Sequence, residues 1–539
     1  TTASERSGIL RRMTNRFNSQ VNGYFLCDRG RFGYEYVNSE HRIKHPLVRS
    51  GSDRTQPGVP EGVPKTLEFA ADRLRQARGV VGIGSPRASL EANAALRSLV
   101  GPEQFYQGID EREHQLLTTI LEIFRTGTVP SASIHDAEEA DAVLVLGPDL
   151  LNEAPRLALA LLQSIRQQPM ERVNELKIPQ WDEAAVRNTV QNRRGPLFLA
   201  GYQRTWFHAY ATESYFAAPD DLARLGFAVA GTIGQGAPSV PDLSHEVKDL
   251  AQRIAESLTH AQRPLIIAGT GSGSQTTIEA AANVAWALHQ QGKQPRLSFV
   301  LPEANSAGLA LLGGGSLHDA FDSIRQGKAD TVIVLENDLY RRADQTKVDA
   351  FFDRAQTVIV IDSLEHRTGT HADVLLPAAT GPESDGTFVN QEGRAQRFYQ
   401  VFAQNDDIKE SWRWLSDLAR VTSQDVERES GVATWRNFDD AVSAFGRQAR
   451  GFGVKNNLAH GPMLPAQWFS LAWLIEYLGI STTRSFCARM AWQLRREFGS
   501  RPQARSSRSS SFSSISLSEL KPSRTTTWQV VQAQLISQA

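Results

Sequence analysis

Short apolar runs recur along this chain and alternate with segments of helical spacing. The runs lie at residues 80–84, 142–147, 196–200, 264–269, 298–301, 331–335 and 357–362. Continuous apolar runs of this length are typical of strands buried on both faces, as in parallel sheets. Between them, apolar residues such as Leu67, Ala70, Ala71 and Leu74 recur at helical intervals. The alternation predicts βαβ units and hence a doubly wound α/β fold.

Two changes of composition divide the chain. Residues 49–66 are rich in turn-forming residues and separate an N-terminal head from the first α/β unit. From Ser481 onward the only acidic residues are Glu497 and Glu519, and serine and arginine dominate. Such low complexity predicts a disordered tail over 450–539. A reading-frame change in the source sequence is the favoured explanation, with an unusual natural extension or an RNA-binding Ser-Arg tail as alternatives.

Composition excludes several classes of function. With 539 residues, 41% hydrophobic and 22% charged, the chain is typical of a soluble globular protein of two to four domains. The formal net charge of -1 gives no basic field, so we expect no nucleic-acid partner. The apolar stretches at 157–165 and 469–480 are too short to span a bilayer. We therefore expect membrane association only through partner subunits.

Two distant cysteines, Cys27 and Cys487, suit a reducing cytoplasm rather than a disulfide framework.

Cys27 lies in the segment FLCDRGRFGY, residues 25–34. Taken alone, a lone cysteine is more often a buried, inert thiol than a metal ligand. This segment, however, resembles the one that carries the last ligand of an iron-sulfur cluster in the G subunit of bacterial NADH:quinone oxidoreductase, respiratory complex I. The resemblance implies that Cys27 is a metal ligand of a 4Fe-4S cluster off the main electron path. Such a cluster needs four thiolates, and the three companions that the family carries shortly upstream are absent here. In this chain we expect an inert thiol.

A second motif, ADVLLPAATGPESDGTFVNQEGR, occupies residues 372–394. It resembles the signature of molybdopterin oxidoreductases, such as formate dehydrogenases and nitrate reductases, and of their complex I relative. In active members this region lies near the guanine nucleotide of the pterin cofactor. The favoured interpretation is structural: Glu383, Asp385, Asn390 and Arg394 fix the loop by hydrogen bonds to its own backbone.

Three glycine-rich loops follow apolar runs, at 82–87, 269–273 and 313–316. The first two precede helical segments, where backbone amides could hold a phosphate. The loop at 82–87 lacks the third glycine of a dinucleotide fingerprint, and Pro86 removes one donor. All three are predicted to form tight turns rather than nucleotide sites.

Nothing in the sequence supplies a metal site besides Cys27. Active molybdopterin enzymes carry a lysine two residues beyond the cluster cysteine, and Arg29 stands there, as in the complex I relative. No cysteine between Cys27 and Cys487 offers a thiolate to molybdenum, so no molybdopterin is expected. The histidines show no zinc spacing and are predicted to have ordinary surface or hydrogen-bonding roles; they include His41, His45, His135, His208, His318, His366 and His371.

The resemblance to the G subunit of complex I covers roughly residues 5–420 and includes IGSPRAS at 83–89, VLENDL at 334–339 and ESWRWL at 410–415. It implies two doubly wound, mostly parallel Rossmann-like sheets of the molybdopterin oxidoreductase type. The predicted divisions are a remnant of the 4Fe-4S domain (1–48), the first part of α/β domain one (66–115), α/β domain two (116–259), the remainder of domain one (260–420) and the tail (450–539).

The implied function is a structural, electron-transfer-associated role in proton-pumping NADH:quinone oxidoreductase, without molybdenum and without catalysis by the chain alone. We expect no catalytic and no cofactor-binding residues. The implied partners are other peripheral-arm subunits, on the cytoplasmic side of the bacterial inner membrane. The alternative is a catalytic molybdenum or tungsten oxidoreductase acting on formate or an oxyanion.

Overall fold

The computed structural model of the chain describes residues 1–441 except 50–53, 55–57, 235, 404–406 and 424–430. The tail at 450–539 and Cys487 lie outside the described residues, so the predicted disorder stays a prediction. Among the described residues, no helix is both long and apolar enough to span a bilayer.

Sixteen strands occur in the described part of the chain. They are β1 (Thr2–Arg6), β2 (Ile9–Thr14), β3 (Leu47–Val48), β4 (Val59–Pro60), β5 (Val80–Ile83), β6 (Phe105–Tyr106), β7 (Ala142–Gly147), β8 (Leu197–Gly201), β9 (Glu213–Phe216), β10 (Pro264–Gly269), β11 (Arg296–Val300), β12 (Thr331–Leu335), β13 (Thr357–Asp362), β14 (Val374–Pro377), β15 (Gly386–Val389) and β16 (Ala395–Phe398).

The α-helices of the same residues connect and cover these strands. They are α1 (Asp28–Phe32), α2 (Val63–Gln76), α3 (Leu90–Val100), α4 (Glu111–Thr126), α5 (Ile134–Glu139), α6 (Leu150–Glu153), α7 (Pro155–Ser164), α8 (Gln167–Glu175), α9 (Glu183–Val190), α10 (Pro219–Ile233), α11 (His245–His260), α12 (Gln275–Gln290), α13 (Ser306–Leu312), α14 (Leu317–Arg325), α15 (Gln345–Arg354), α16 (Arg367–Thr370) and α17 (Ser411–Thr422).

Two sheets organise the α/β body. The first has the strand order β4-β3-β14-β13-β12-β5-β6, and its five strands from β14 to β6 run parallel. The second, β11-β10-β7-β8-β9, is parallel throughout. Every residue of β7, β10 and β13 is buried, as their continuous apolar runs predicted. The predicted doubly wound α/β fold is confirmed.

The chain does not pass from the second sheet to the first at the predicted boundary between residues 259 and 260. Strand β10 pairs with β7, and β11 pairs with β10, so both belong to the second sheet. The chain returns to the first sheet only at β12. Strand β10 lies on the other side of β7 from β8, an arrangement that apolar periodicity does not reveal. The domain limits stay predictions.

The N-terminal head has a small core of its own. The antiparallel hairpin of β1 and β2 packs around Leu10 and Met13, both nearly inaccessible to solvent. Val37 and Phe402 complete this cluster. Because Phe402 follows the signature motif in sequence, the head packs directly on the end of the α/β body.

Candidate functional site

The carboxyl ends of β5 and β12 are the place in the first sheet where a ligand is most expected. These strands are neighbours in the sheet. From β5 the chain continues to β6 on one side of β5, whereas β12 and β13 lie on the other side of β5. Open α/β sheets bind ligands at such a reversal of strand order. The segments that meet here are 84–87, which follows β5, and 336–338, which follows β12.

The loop after β5 uses its amide groups internally. The Gly84 N–H donates to the Tyr106 carbonyl at 2.9 Å, and the Ser85 N–H donates to Asn93 Oδ1 at 2.9 Å. The Arg87 N–H donates to Ser85 Oγ at 3.2 Å. Pro86 has no amide hydrogen. The chain bends at 86–88, and the amides of Gly84, Ser85 and Arg87 are engaged and not free to hold a phosphate.

A largely shielded carboxylate, Glu303, lies between two arginines beside this loop. Glu303 Oε1 is 2.5 Å from Arg342 Nη1, and Glu303 Oε2 is 3.1 Å from Arg87 Nε. Burial opposes ionisation, but the two guanidinium groups hold the pKa of Glu303 below its ordinary value. The Arg342 Nε–H also donates to Asn337 Oδ1 at 3.1 Å. This network ties the segments after β5 and β12 to the segment after β11.

Two other carboxyl groups near the crevice have raised pKa values. Burial raises the pKa of Glu336 to about 7, and the charge of Asp362 adds to the effect. Glu336 has a backbone φ of 43°, which is unusual for a residue with a side chain, and its Oε1 accepts from Ser411 Oγ at 2.5 Å. Burial likewise raises the pKa of Glu113 to about 7. Perturbed groups of this kind mark either functional or structural charge networks.

His366 belongs to the same edge of the sheet. Its Nε2 lies 2.8 Å from Asp362 Oδ2, and its Nδ1 lies 3.7 Å from Asp338 Oδ1. Burial lowers the pKa of His366, but the hydrogen bond and charge of Asp362 outweigh burial and raise it. Its predicted hydrogen-bonding role is confirmed. Sequence reasoning missed Glu113, Glu303 and Arg342, because no local spacing connects residues so far apart.

The signature motif fixes its own loop at both ends. Thr380 and Glu383 form a reciprocal cap, in which Glu383 Oε2 accepts from the Thr380 N–H at 2.8 Å. Asn390 Oδ1 accepts from the N–H groups of Glu392 and Arg394 at 3.1 and 2.8 Å. The structural interpretation is thus confirmed for Glu383 and Asn390.

The other two polar residues of the motif make different contacts. Asp385 Oδ1 accepts from the Gln400 N–H at 3.2 Å, on the neighbouring part of the chain. The Arg394 Nε–H donates to Glu392 Oε1 at 2.8 Å, and Arg394 Nη1 donates to Gln20 Oε1 at 3.0 Å. Asp385 therefore binds a neighbouring segment, and the Arg394 side chain binds one side chain of the loop and one of the N-terminal head, rather than the backbone of the loop.

The remaining glycine loops are likewise held by backbone hydrogen bonds. At 269–273 the Gly273 N–H donates to the Thr270 carbonyl at 2.8 Å, and Gly273 has a φ of 63°. At 313–316 the Gly315 N–H donates to the Phe105 carbonyl at 3.1 Å. Ser316 then caps α14 in a reciprocal arrangement with Asp319. The prediction of a tight turn holds for the 269–273 loop, whereas the 313–316 loop is held by its contact with Phe105 and by the cap of α14.

Cys27 lies at the start of α1 and is half-buried. Its Sγ accepts a hydrogen bond from the Gly30 N–H at 3.3 Å. The thiol faces a cleft with an empty volume of about 830 Å³ including its open mouth, whose lining also includes Asn22, Arg156 and Asn390. An accessible thiol that accepts an amide hydrogen bond fits one position of a thiolate-ligated cluster. No cluster of three or more potential metal ligands occurs among the described residues.

The fold and the signature segment are similar to those of molybdopterin oxidoreductases. A family profile described as molybdopterin oxidoreductase matches residues 243–421. The solved structure of acetylene hydratase from Pelobacter acetylenicus is similar in fold, with a TM-score of 0.53 at 12% identity, covering 76% of this chain and 65% of that one.

Curated relatives give a more specific assignment. The chain is 47% identical over 446 residues to the G subunit of NADH-quinone oxidoreductase from Pseudomonas fluorescens. It is 44% identical over 447 residues to that of Shewanella oneidensis strain MR-1, and 42% identical over 446 residues to that of Salmonella typhimurium strain LT2. Each match covers 82% of this chain and 48% of the relative. The chain is therefore homologous to the G subunit of NADH-quinone oxidoreductase and spans about half the length of the curated relatives it matches.

Proposed function

We propose that this chain is a structural, electron-transfer-associated part of the G subunit of a proton-pumping NADH-quinone oxidoreductase. The observation that carries the proposal is the 42–47% identity to curated relatives of that name over about 446 residues. Its partners are then other peripheral-arm subunits on the cytoplasmic side of the inner membrane, and it reaches the membrane only through them. The chain has no catalytic activity of its own.

The crevice supports a role without molybdopterin. A pterin nucleotide needs donors for its phosphates, and the amides of the 84–87 loop are engaged by Tyr106, Asn93 and Ser85. The residues present therefore do not fit the phosphate end of a pterin dinucleotide at this edge of the sheet.

Metal analysis of the complete, purified subunit tests this part of the proposal. We expect iron without molybdenum or tungsten in protein produced with an adequate supply of pterin cofactor. Near-stoichiometric molybdenum or tungsten would overturn the proposal and support the alternative, an oxidoreductase acting on formate or an oxyanion.

Cys27 is proposed to supply one of four thiolates to a 4Fe-4S cluster in the complete subunit. Its Sγ accepts a hydrogen bond from the Gly30 N–H at 3.3 Å and lines an open cleft, so the thiol is placed where further ligands could reach a shared metal. The other three ligands would come from a part of the relatives that this chain does not match. Because these ligands lie on separated segments, the cluster would also stabilise the fold.

We expect Cys27→Ala in the complete subunit to remove one low-potential 4Fe-4S signal from the electron paramagnetic resonance spectrum and to weaken assembly. Turnover from NADH to quinone, normalised to assembled enzyme, should stay near normal, because the resemblance places this cluster off the main electron path. Cys487→Ala is the matched control and should leave all cluster signals unchanged. A severalfold fall in normalised turnover with intact assembly would show that Cys27 serves the conducting chain.

A further inference from the structure

Helices α14 and α15 lie side by side on one face of the first sheet and leave a groove between them. Both contribute to the same core cluster, α14 through Leu317 and Ala320 and α15 through Val348 and Phe352. The groove, with an empty volume of about 560 Å³ including open solvent, is lined by His318, Phe321, Asp322, Ile324, Arg325, Lys347, Ala350, Phe351 and Arg354. We call it the α14/α15 groove.

The lining residues repeat at matching positions of the two helices. On α14 they include residues 318, 321, 322 and 325, and on α15 they are residues 347, 350, 351 and 354. In each helix the positions are i, i+3, i+4 and i+7, which lie along one face. The groove therefore runs along both helices for about two turns.

The bottom of the groove is apolar and aromatic. The Phe321 and Phe351 rings lie with centroids 4.7 Å apart, one from each helix. Phe351 and Ile324 are 3% and 4% exposed, so they lie below the surface rather than protruding from it. An apolar strip recessed between helices suits a side chain inserted from above more than a flat lipid surface.

The rim of the groove carries excess positive charge. Arg325 Nη2 lies 2.8 Å from Asp322 Oδ1, so this acid is already paired within the groove. Lys347 and Arg354 are exposed, and neither forms an ion pair among the described residues. Asp349 on α15 is not available to them, since it accepts a hydrogen bond from the Tyr340 hydroxyl on another side of the helix.

We propose that the α14/α15 groove binds an acidic amphipathic helix of a partner subunit. Charge complementarity identifies the occupant, because glutamate or aspartate side chains flanking its apolar face would pair with Lys347 and Arg354. Its apolar residues at helical spacing would cover Phe321 and Phe351. Helix α15 has 10 residues and is roughly 15 Å long, so an occupant of about three turns matches the site.

This inference rests on the proposed place of the chain in NADH-quinone oxidoreductase, and the test uses that assembled enzyme. A photoreactive phenylalanine derivative replaces Ala350, which lines the groove. After irradiation, the cross-linked partner peptide is identified by mass spectrometry. We expect one dominant cross-link, to a helical segment that carries acidic residues beside an apolar face.

Charge reversal provides the second measurement. Lys347→Glu combined with Arg354→Glu should reduce the yield of this cross-link at least tenfold. Arg166→Glu combined with Lys248→Glu is the matched control, because it makes the same change of charge at two exposed residues beside the second sheet, Arg166 in the turn before α8 and Lys248 on α11. The control should leave the yield within twofold of the unsubstituted protein.

The outcomes separate the two proposals. If the chain does not co-purify with quinone reductase activity, the proposed function fails. If it co-purifies, the groove proposal is overturned by cross-links to lipid, to a second copy of this chain or to a non-acidic segment, by no cross-link, or by equal loss of yield in the control.

Discussion

The contact between Arg42 and Glu383 is the one whose loss should most weaken the attachment of the head to the α/β body. Arg42 Nη1 is 3.0 Å from Glu383 Oε1, and Arg42 Nη2 is 2.7 Å from Glu383 Oε2. The side chains are 3% and 1% exposed. The pair therefore has the bidentate geometry of a strong charge-assisted interaction, shielded from water.

Arg42 also holds carbonyl groups of the chain on both sides of this pair. Its Nη1–H donates to the Val37 carbonyl at 2.8 Å, and its Nε–H donates to the Ser363 carbonyl at 3.0 Å. Substitution by alanine would leave a buried carboxylate without its cation, together with two carbonyls without this donor. Removing one partner of a buried ion pair costs about 3–5 kcal/mol. At about 1.4 kcal/mol per factor of ten, the folding equilibrium would shift by roughly two to three and a half orders of magnitude.

Urea unfolding of the purified chain, followed by tryptophan fluorescence, measures this cost. Trp412 and Trp414 are buried in the body and respond to its unfolding. Arg253→Ala is the control, because Arg253 makes a similar bidentate contact with Glu213 but at side-chain exposures of 51% and 31%. We expect a much smaller effect for this exposed pair. If Arg42→Ala costs no more than Arg253→Ala, the reasoning from burial is wrong.

Two further predictions concern the crevice. Burial raises the pKa of Glu336 from 4.5 to about 7, so the folded state binds the Glu336 proton more tightly than the unfolded state does. The stability that this proton contributes is fully present below pH 4.5 and is lost as the pH rises through 7. We expect Glu336→Gln to raise the free energy of unfolding at pH 8, by up to about 3 kcal/mol, and to change it little at pH 4.5; equal effects at both pH values would contradict this. A Cβ at Gly108 would lie 2.1 Å from the Gly84 oxygen and 2.2 Å from Asn337 Nδ2, so Gly108→Ala should cost about 3 kcal/mol by urea unfolding. Gly62→Ala, where the new Cβ would meet no neighbouring side chain or backbone within 4 Å, is the control, and an equal cost for both would refute the steric argument.

The two sheets were predictable because their central strands carry the signal within a few consecutive residues. A strand covered on both faces must be apolar throughout, and the runs at 142–147, 264–269 and 357–362 coincide with β7, β10 and β13. The two-residue strands β3, β4 and β6 have no such run, since two residues cannot show a period. Local pattern was thus sufficient for long buried strands and insufficient for short edge strands.

The hydrogen-bonding roles of motif residues could also be predicted where both partners belong to the motif. The reciprocal cap of Thr380 and Glu383 and the turn held by Asn390 involve partners three or four residues apart. The partner of Glu383 from the head, Arg42, lies 341 residues away and has no counterpart in local spacing.

Strand order and the charge network required the folded chain. Sheet membership of β10 and β11 depends on which side of β7 the chain returns to, and the apolar pattern is the same for either side. Glu303 and Arg342 come together with Arg87 because β5 and β12 pair in parallel and β11 ends nearby, which brings residues more than 200 positions apart into contact. Secondary structure and self-capped loops depend on interactions between residues close together in the sequence, so local sequence patterns predict them. The ion pairs and clefts of the crevice depend on packing between residues far apart in the sequence, and no local pattern predicts such contacts.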